Sequence, residues 1–160
     1  MIEDFPTLKQ VLEEYGRAVA EQYKANLRES GHGTQEDHLI NSIETAVTMD
    51  DRSFKVVMDL NTYWKYLEEG TPPHWPPVDA IRTWISYKPV LPRPGKDGRL
   101  PTPNQLAYLI GQKIATVGTE GTHDLEDAKA AMTKEEWEAR LRAALVQDVR
   151  TYLYDMTMGR

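Results

Sequence analysis

The sequence contains no cysteine. Disulfides, thiolate nucleophiles and thiolate metal ligands are therefore excluded. It also has no apolar run near the roughly 18 residues that a membrane helix needs. The first residues show neither the basic segment nor the apolar segment of a signal peptide. We therefore expect a soluble intracellular product with no membrane partner.

Positive charge is also in short supply, with 19 Lys and Arg residues against 25 Asp and Glu residues and a net charge of −6. A dedicated nucleic-acid binder needs a cationic stripe that displaces the counterions of the phosphates. The balance argues against that class of protein. It suits a surface that must not adhere to DNA.

Hydrophobic periodicity predicts an α+β fold. Three capping boxes, at Thr7–Gln10, Thr102–Gln105 and Thr133–Glu136, predict helix starts, and the last helix is a long C-terminal helix over 134–157. Alternation with period two over 43–49 and 54–60 predicts a β-hairpin. We expect one domain over 1–160, in which a small antiparallel sheet with the hairpin at its centre packs against N-terminal, middle and C-terminal helices. The expected buried faces of the middle and C-terminal helices are Leu106, Leu109, Ile110, Ile114 and Val117, and Trp137, Leu141, Ala144, Leu145, Val149 and Tyr152.

Residues 63–77, which we call the aromatic corner, organise the rest of the chain. Residues 61–77 hold four of the ten prolines together with Tyr63, Trp64, Tyr66 and Trp75. The pattern predicts the end of a strand, a sharp turn at Gly70, a stiff strap of prolines and a helix over 78–88. Such a corner fixes geometry, but it does no chemistry by itself.

Two charged segments follow the aromatic corner. Residues 88–101, the basic loop, are rich in proline and glycine and carry a net charge of +3. Irregular loops of this length are uncommon in compact domains and often functional. Residues 120–138 carry seven acidic residues against Lys129 and Lys134, a net −5. We expect the two segments to form a complementary pair across a subunit boundary.

Residues with catalytic potential do not form a recognisable site. The histidines His32, His38, His74 and His123 lack metal-ligand spacing, although a zinc site of His74, His123 and a carboxylate stays open as an alternative. Glu68 and Glu69 are the acid/base candidates, but neighbouring residues in an extended chain point to opposite sides. The aromatic residues of the corner can stack on bases or sugars, yet packing at a core or an interface accounts better for them. We expect no enzyme activity, no cofactor and no metal.

Four segments resemble one protein family. They are Leu39-Ile-Asn-Ser-Ile43, Tyr63-Trp-Lys-Tyr-Leu-Glu-Glu-Gly-Thr71, Pro73-His-Trp-Pro-Pro77 with the helix after it, and Ile114-Ala-Thr-Val-Gly-Thr-Glu-Gly-Thr122. Together they resemble the tail-completion or neck proteins of long-tailed bacteriophages, of the minor tail protein Z type. The similarity covers roughly residues 8 to 126.

The resemblance implies a structural virion protein at the head–tail junction, present in the host cytoplasm during assembly. It implies a hexameric homo-oligomeric ring that contacts other neck and tail proteins and meets DNA only as non-specific cargo in its channel. A non-viral binding module that uses the aromatic corner, or a small hydrolase, are the alternatives. The expected subunit interface comprises Tyr63, Trp64, Tyr66, Glu69, His74, Trp75, Leu91, Arg93, Lys96 and Arg99.

Overall fold

The computed structural model describes residues 5–32, 38–50, 53–62, 64–87, 90–96 and 98–159. The chain is mixed α+β, so the predicted fold class is confirmed. The helices are α1 Pro6–Glu29, α2 His38–Ser42, α3 Trp64–Glu69, α4 Val78–Tyr87, α5 Pro103–Val117, α6 Asp124–Ala130 and α7 Lys134–Met158. The strands are β1 Glu44–Met49, β2 Phe54–Asp59, β3 Gly70–Thr71 and β4 Thr119–Glu120. None of the described helices is long and apolar enough to cross a membrane.

The chain divides into two compact units, residues 1–68 with 123–160 (unit 1) and residues 69–122 (unit 2). In unit 1, β1 and β2 form the predicted antiparallel hairpin, with Val47 opposite Val56. Helix α1 lies against this hairpin at Gly16, where a Cβ atom would come 2.8 Å from the Cγ1 of Val56. The absence of a side chain at Gly16 therefore sets the distance between helix and sheet. The organisation as a single domain over 1–160 stays a prediction.

Two apolar clusters line α1 of unit 1. One surrounds Tyr23 and Leu27 near the C-terminal half of the helix, and Leu39, Ile40 and Ile43 complete it. The other lies near the N-terminus of α1 and contains Leu8, Leu12 and Ala144.

The start of α1 corrects the first predicted capping box. The helix begins at Pro6, and Phe5 in the N-cap position makes no side-chain cap. The carboxylate of Asp148 on α7 takes over instead, accepting from the N–H of Thr7 at 3.2 Å and of Leu8 at 2.8 Å. A distant acid therefore satisfies two of the N–H groups that the start of a helix leaves unpaired. The predicted local cap from Thr7 is wrong.

Helix α3 corrects the predicted strand before Gly70. Trp64 and Leu67, three residues apart, pack against the core cluster around Leu27. Helical geometry brings residues with that spacing onto one face. The following residue, Glu68, is buried and its two carboxylate oxygens accept from the N–H of Leu125 at 3.0 Å and of Glu126 at 2.9 Å. A helical turn suits both functions, and an extended strand would point neighbouring side chains to opposite sides.

Unit 2 is built on α4 and α5. The predicted capping box opens α5: the N–H of Gln105 donates to the hydroxyl of Thr102 at 3.3 Å, and the side chain of Gln105 accepts from the N–H of Thr102 at 2.9 Å. Helix α4 begins after Pro77, as predicted, and buries Ile81. The buried face expected for α5 is partly wrong, because Leu109 and Val117 are exposed while Ala107 and Gly111 are buried.

Helix α7 runs through the predicted range but departs from the prediction in two respects. Thr133 makes no side-chain cap, so the third predicted capping box does not form. Trp137 and Leu141 are half-buried and Ala144 is buried, as expected. The other half of the expected face is exposed, which corrects the prediction for Leu145, Val149 and Tyr152.

Candidate functional site

The aromatic corner leads into a short ladder between two Gly-Thr pairs, Gly70-Thr71 and Gly118-Thr119, which we call the Gly-Thr clasp. In this ladder β3 and β4 run antiparallel, and Thr71 lies opposite Thr119. Gly70 has φ +73° and Gly118 has φ +75°, the left-handed region that side chains other than hydrogen disfavour. The clasp therefore requires glycine in both of its Gly-Thr pairs.

The two strands of the clasp approach each other closely. A Cβ atom on Gly70 would lie 2.1 Å from the carbonyl oxygen of Thr119, and one on Gly118 would lie 2.1 Å from the carbonyl oxygen of Thr71. The N–H of Thr71 donates to the hydroxyl of Thr119 at 3.0 Å, and the two threonine hydroxyls lie 2.8 Å apart. Segments that are 48 residues apart in the sequence are thus held together by backbone and hydroxyl contacts.

The proline strap after the clasp packs on α5. Pro76 is buried, and the ring of Trp75 meets that of Tyr108 edge to face, with centroids 5.6 Å apart. Gly111 gives α4 room, because a Cβ atom there would lie 3.3 Å from the Cδ1 of Ile81, whereas its 3.9 Å separation from Pro76 would be an ordinary contact. Trp75 is still 52% exposed and Tyr108 53%. The pair forms an aromatic surface anchored on one side and open to solvent on the other.

The basic loop presents apolar and cationic side chains to solvent. Leu91 is 91% exposed and Leu100 is 61% exposed. Arg93, Lys96 and Arg99 are exposed as well. The loop closes on itself where the N–H of Gly95 donates to the carbonyl of Arg99 at 2.8 Å. No helix or strand occurs in the part of this loop that the structure describes, 90–96 and 98–101.

The two acid/base candidates differ in their surroundings. Glu68 is buried and caps α6 with both carboxylate oxygens. Glu69 is exposed and belongs to the other unit. The reasoning that set Glu68 and Glu69 on opposite sides of a strand is wrong, since both lie in α3. Glu68 is nevertheless committed to a structural contact.

The acidic segment, residues 120–138, contains one buried acidic residue, Asp124. Asp124 accepts from the hydroxyl of Ser30 at 2.9 Å, and its carbonyl accepts from the side chain of Asn26 at 2.9 Å. These contacts join the end of α1 to the start of α6. The remaining acidic residues of the segment are exposed: Glu120, Glu126, Asp127, Glu135, Glu136 and Glu138.

The histidines considered for zinc occupy separate settings. The Nδ1–H of His74 donates to the carbonyl of Pro72 at 2.9 Å. His123 adopts a left-handed backbone conformation before α6, and its Nδ1 lies 3.8 Å from Glu126. Among the described residues, no three His, Asp or Glu side chains converge into a group that could hold a metal ion.

The expected interface residues belong to both units. Trp64 and Tyr66 lie in unit 1, where Trp64 is half-buried against the core and Tyr66 is 58% exposed. Tyr63, which we also predicted at the interface, lies outside the described residues. Those in unit 2 are all exposed: Glu69, His74, Trp75, Leu91, Arg93, Lys96 and Arg99. The structure brings Trp75 together with Tyr108, which the sequence did not single out.

Sequence reasoning also missed the outer face of α7. Its C-terminal part exposes Val149 and Tyr152, which we expected to be buried, and also Leu153, Tyr154, Met156 and Met158, for which we made no prediction. A signal was available, since apolar residues on this helix occupy more than one stripe.

No protein-family model, curated protein or solved structure matches this chain.

Proposed function

We propose that this chain is a structural subunit of the neck of a tailed bacteriophage. In this role it assembles into a homo-oligomeric ring, hexameric as the resemblance implies, that joins the finished tail to the DNA-filled head. It performs no reaction and requires no cofactor. The neighbouring neck and tail proteins are its partners, and DNA passes through the ring without specific contacts.

The observation that carries this proposal is the Gly-Thr clasp. The resemblance rests in part on two segments that end in Gly70-Thr71 and contain Gly118-Thr119. These pairs contact each other, through glycines that no larger residue can replace without displacing a carbonyl. Two of the segments that carry the resemblance thus contact each other, and this contact fixes the direction of the proline strap that follows β3.

The surface of unit 2 supports a role in assembly. Aromatic residues and arginine are enriched in protein interfaces, and an anchored aromatic side chain loses little conformational freedom on binding. Trp75 and Tyr108 have that character, since each is held by the other and half exposed. Leu91 and Arg93 add an apolar and a cationic contact on the basic loop. We assign the contact with the next subunit to this surface.

In a ring, the two sides of each subunit form different contacts. Its interfaces are head-to-tail, so a patch on one copy must match another patch on the next. The exposed acidic residues of 120–138 are the counterpart for the basic loop. Charge complementarity of this kind steers association and fixes the register of the partners.

The test is genetic. We expect removal of the coding sequence from the phage genome that carries it to yield DNA-filled heads and complete tails that are not joined. Electron microscopy of the lysate measures the joined fraction. A copy of the gene carrying Arg93→Glu should fail to restore joined particles, whereas a copy carrying Lys113→Glu should restore them. Lys113→Glu is a matched charge reversal on the exposed side of α5 in the same unit. A lysate with the parental share of joined particles after removal refutes the proposal.

A further inference from the structure

Unit 1 holds the apolar clusters of the described residues. One cluster surrounds Tyr23 and Leu27, which are fully buried, and the other contains Leu8 and Leu12. All members of both clusters lie in unit 1, and eleven of the buried apolar side chains belong to it. Burial of apolar surface is the main favourable contribution to folding. Unit 1 therefore has a core built from its own residues.

Unit 2 buries far less apolar surface. In its described part the buried side chains are those of Pro76, Ile81 and Ala107. Seven large apolar side chains of the same part are exposed, from Trp84 at 42% to Leu91 at 91%. Helices α4 and α5 have 10 and 15 residues, lengths at which a helix depends on packing for its stability. With Ile81 as its one large buried aliphatic side chain, the described part of unit 2 has little such packing.

Each unit also joins its own chain ends. Unit 2 spans residues 69–122, and the Gly-Thr clasp pairs its first and last segments through β3 and β4. Unit 1 is interrupted between residues 68 and 123. There the carboxylate of Glu68 accepts from the N–H of Leu125 at 3.0 Å and of Glu126 at 2.9 Å. Since each closure lies within one unit, the closure of unit 1 does not require the clasp.

We propose that unit 2 is a separately opening module of this chain. In the free chain α4 and α5 open together while unit 1 stays folded, because the clasp ties the two ends of the module and the apolar clusters belong to unit 1. Folded proteins open in contiguous units of this kind, and regions with few buried apolar contacts open most readily. The conformation that presents Trp75 and Arg93 is thus the least stable part of the molecule.

Separate opening couples the stability of the module to binding. A partner that binds the closed module and not the open one shifts the equilibrium toward the closed form. If the neighbouring subunit of the ring is that partner, a step that rests on the proposed function, assembly closes the module. The opening itself rests on burial and chain connectivity, so it holds for the free chain whether or not the chain is a neck subunit. An experiment on the purified chain therefore tests it apart from the genetic test of the ring.

The first experiment measures hydrogen exchange by mass spectrometry on the purified full chain. It uses about 1 µM protein, because association stabilises the closed form less at low concentration. Peptides from α4 and α5 are compared with a peptide covering 19–27 of α1. We expect the opening equilibrium of α4 and α5 to exceed that of α1 by at least about 100-fold, which equals about 2.8 kcal/mol. Equal protection of the three helices would mean that the chain opens as a whole, and it would overturn the proposal.

The second experiment truncates Ile81, which is 6% exposed. We expect Ile81→Ala to raise the opening equilibrium of α4 and α5 by at least about 30-fold, as for other large-to-small core substitutions, and to leave α1 unchanged within about twofold. Leu109→Ala is the matched control, since Leu109 is 52% exposed on α5, and it should change exchange by less than about threefold. Complete opening of unit 2 in Ile81→Ala supports the proposal if α1 keeps its parental protection. Equal acceleration in α1 and α5 refutes it.

Discussion

Replacement of Gly70 by alanine tests the Gly-Thr clasp directly. The new Cβ atom would lie 2.1 Å from the carbonyl oxygen of Thr119, and φ at this position is +73°. The left-handed backbone alone costs an alanine about 1 kcal/mol. Relief of the clash requires the strands to separate, which removes the N–H bond of Thr71 to Thr119 and the contact of the two hydroxyls. At about 1 kcal/mol for each bond lost, the total loss in the free energy of unfolding is about 3 kcal/mol.

Gly98 provides the matched control for this substitution. It has the same φ of +73°, yet nothing lies within 4 Å of a Cβ atom built on it. Gly98→Ala therefore tests the backbone conformation without the close approach, and we expect it to cost about 1 kcal/mol. The difference between the two variants, about 2 kcal/mol, isolates the contact between the strands of the clasp.

The assay must report on unit 2, because the chain has two compact units. Hydrogen exchange followed by mass spectrometry on peptides covering 70–77 and 117–122 does so. A unit of this size has a stability of about 3–8 kcal/mol, so we expect Gly70→Ala to accelerate exchange in both peptides strongly and Gly98→Ala to change it little. Equal acceleration by the two variants would mean that the close approach contributes nothing and would refute our account of the clasp.

Three further predictions concern carboxylates of unit 1. Asp148→Ala should lower the free energy of unfolding by about 2–3 kcal/mol, because two N–H groups of α1 lose a charged partner. The control Asp155→Ala, at an exposed position on the same helix, should lower it by less than about 0.5 kcal/mol. Urea unfolding measures both. Glu68→Gln should cost about 1–2 kcal/mol by the loss of a charged cap, while Glu69→Gln should be neutral; a turnover lost in Glu68→Gln without this destabilisation would favour the hydrolase alternative. A hydrogen bond from the side chain of Gln10, and to a smaller extent one from Arg140, holds the pKa of Glu14 below its usual 4.5. Their stabilisation is thus present above about pH 4.5 and lost as the pH falls through the lowered pKa, so the deficit of Glu14→Gln in thermal midpoint should be largest near pH 7 and should close in acid.

Local sequence signals predicted the elements better than their caps. The hairpin strands and the box at Thr102 follow from patterns within a few residues, and the structure contains them. The box at Thr7 does not form, because Asp148 approaches from a helix about 140 residues away. A charged carboxylate that reaches two N–H groups is a stronger partner than a neutral hydroxyl. Nothing in residues 5–10 contains that information.

The prediction of a strand before Gly70 was wrong for a different reason. The sequence predicted the end of a strand followed by a sharp turn at Gly70. Gly70 does have φ +73°, but it is the first residue of β3. Tertiary contacts stabilise the helix instead, because Trp64 and Leu67 pack on one side of a core and Glu68 caps α6. Each of those contacts involves residues far along the chain. Tertiary packing commonly overrides the weak preferences of a six-residue segment.

The candidate surfaces show where periodicity stops being informative. Apolar spacing identified α5 and α7 as helices, but it assigned to the core some side chains that are exposed, such as Leu109 and Tyr152. An apolar stripe is the same signal whether the molecule's own core or another copy covers it. Burial within a single chain separates the two cases. The stripes that unit 1 and unit 2 leave uncovered are therefore the parts of the sequence that the core of a single chain does not explain.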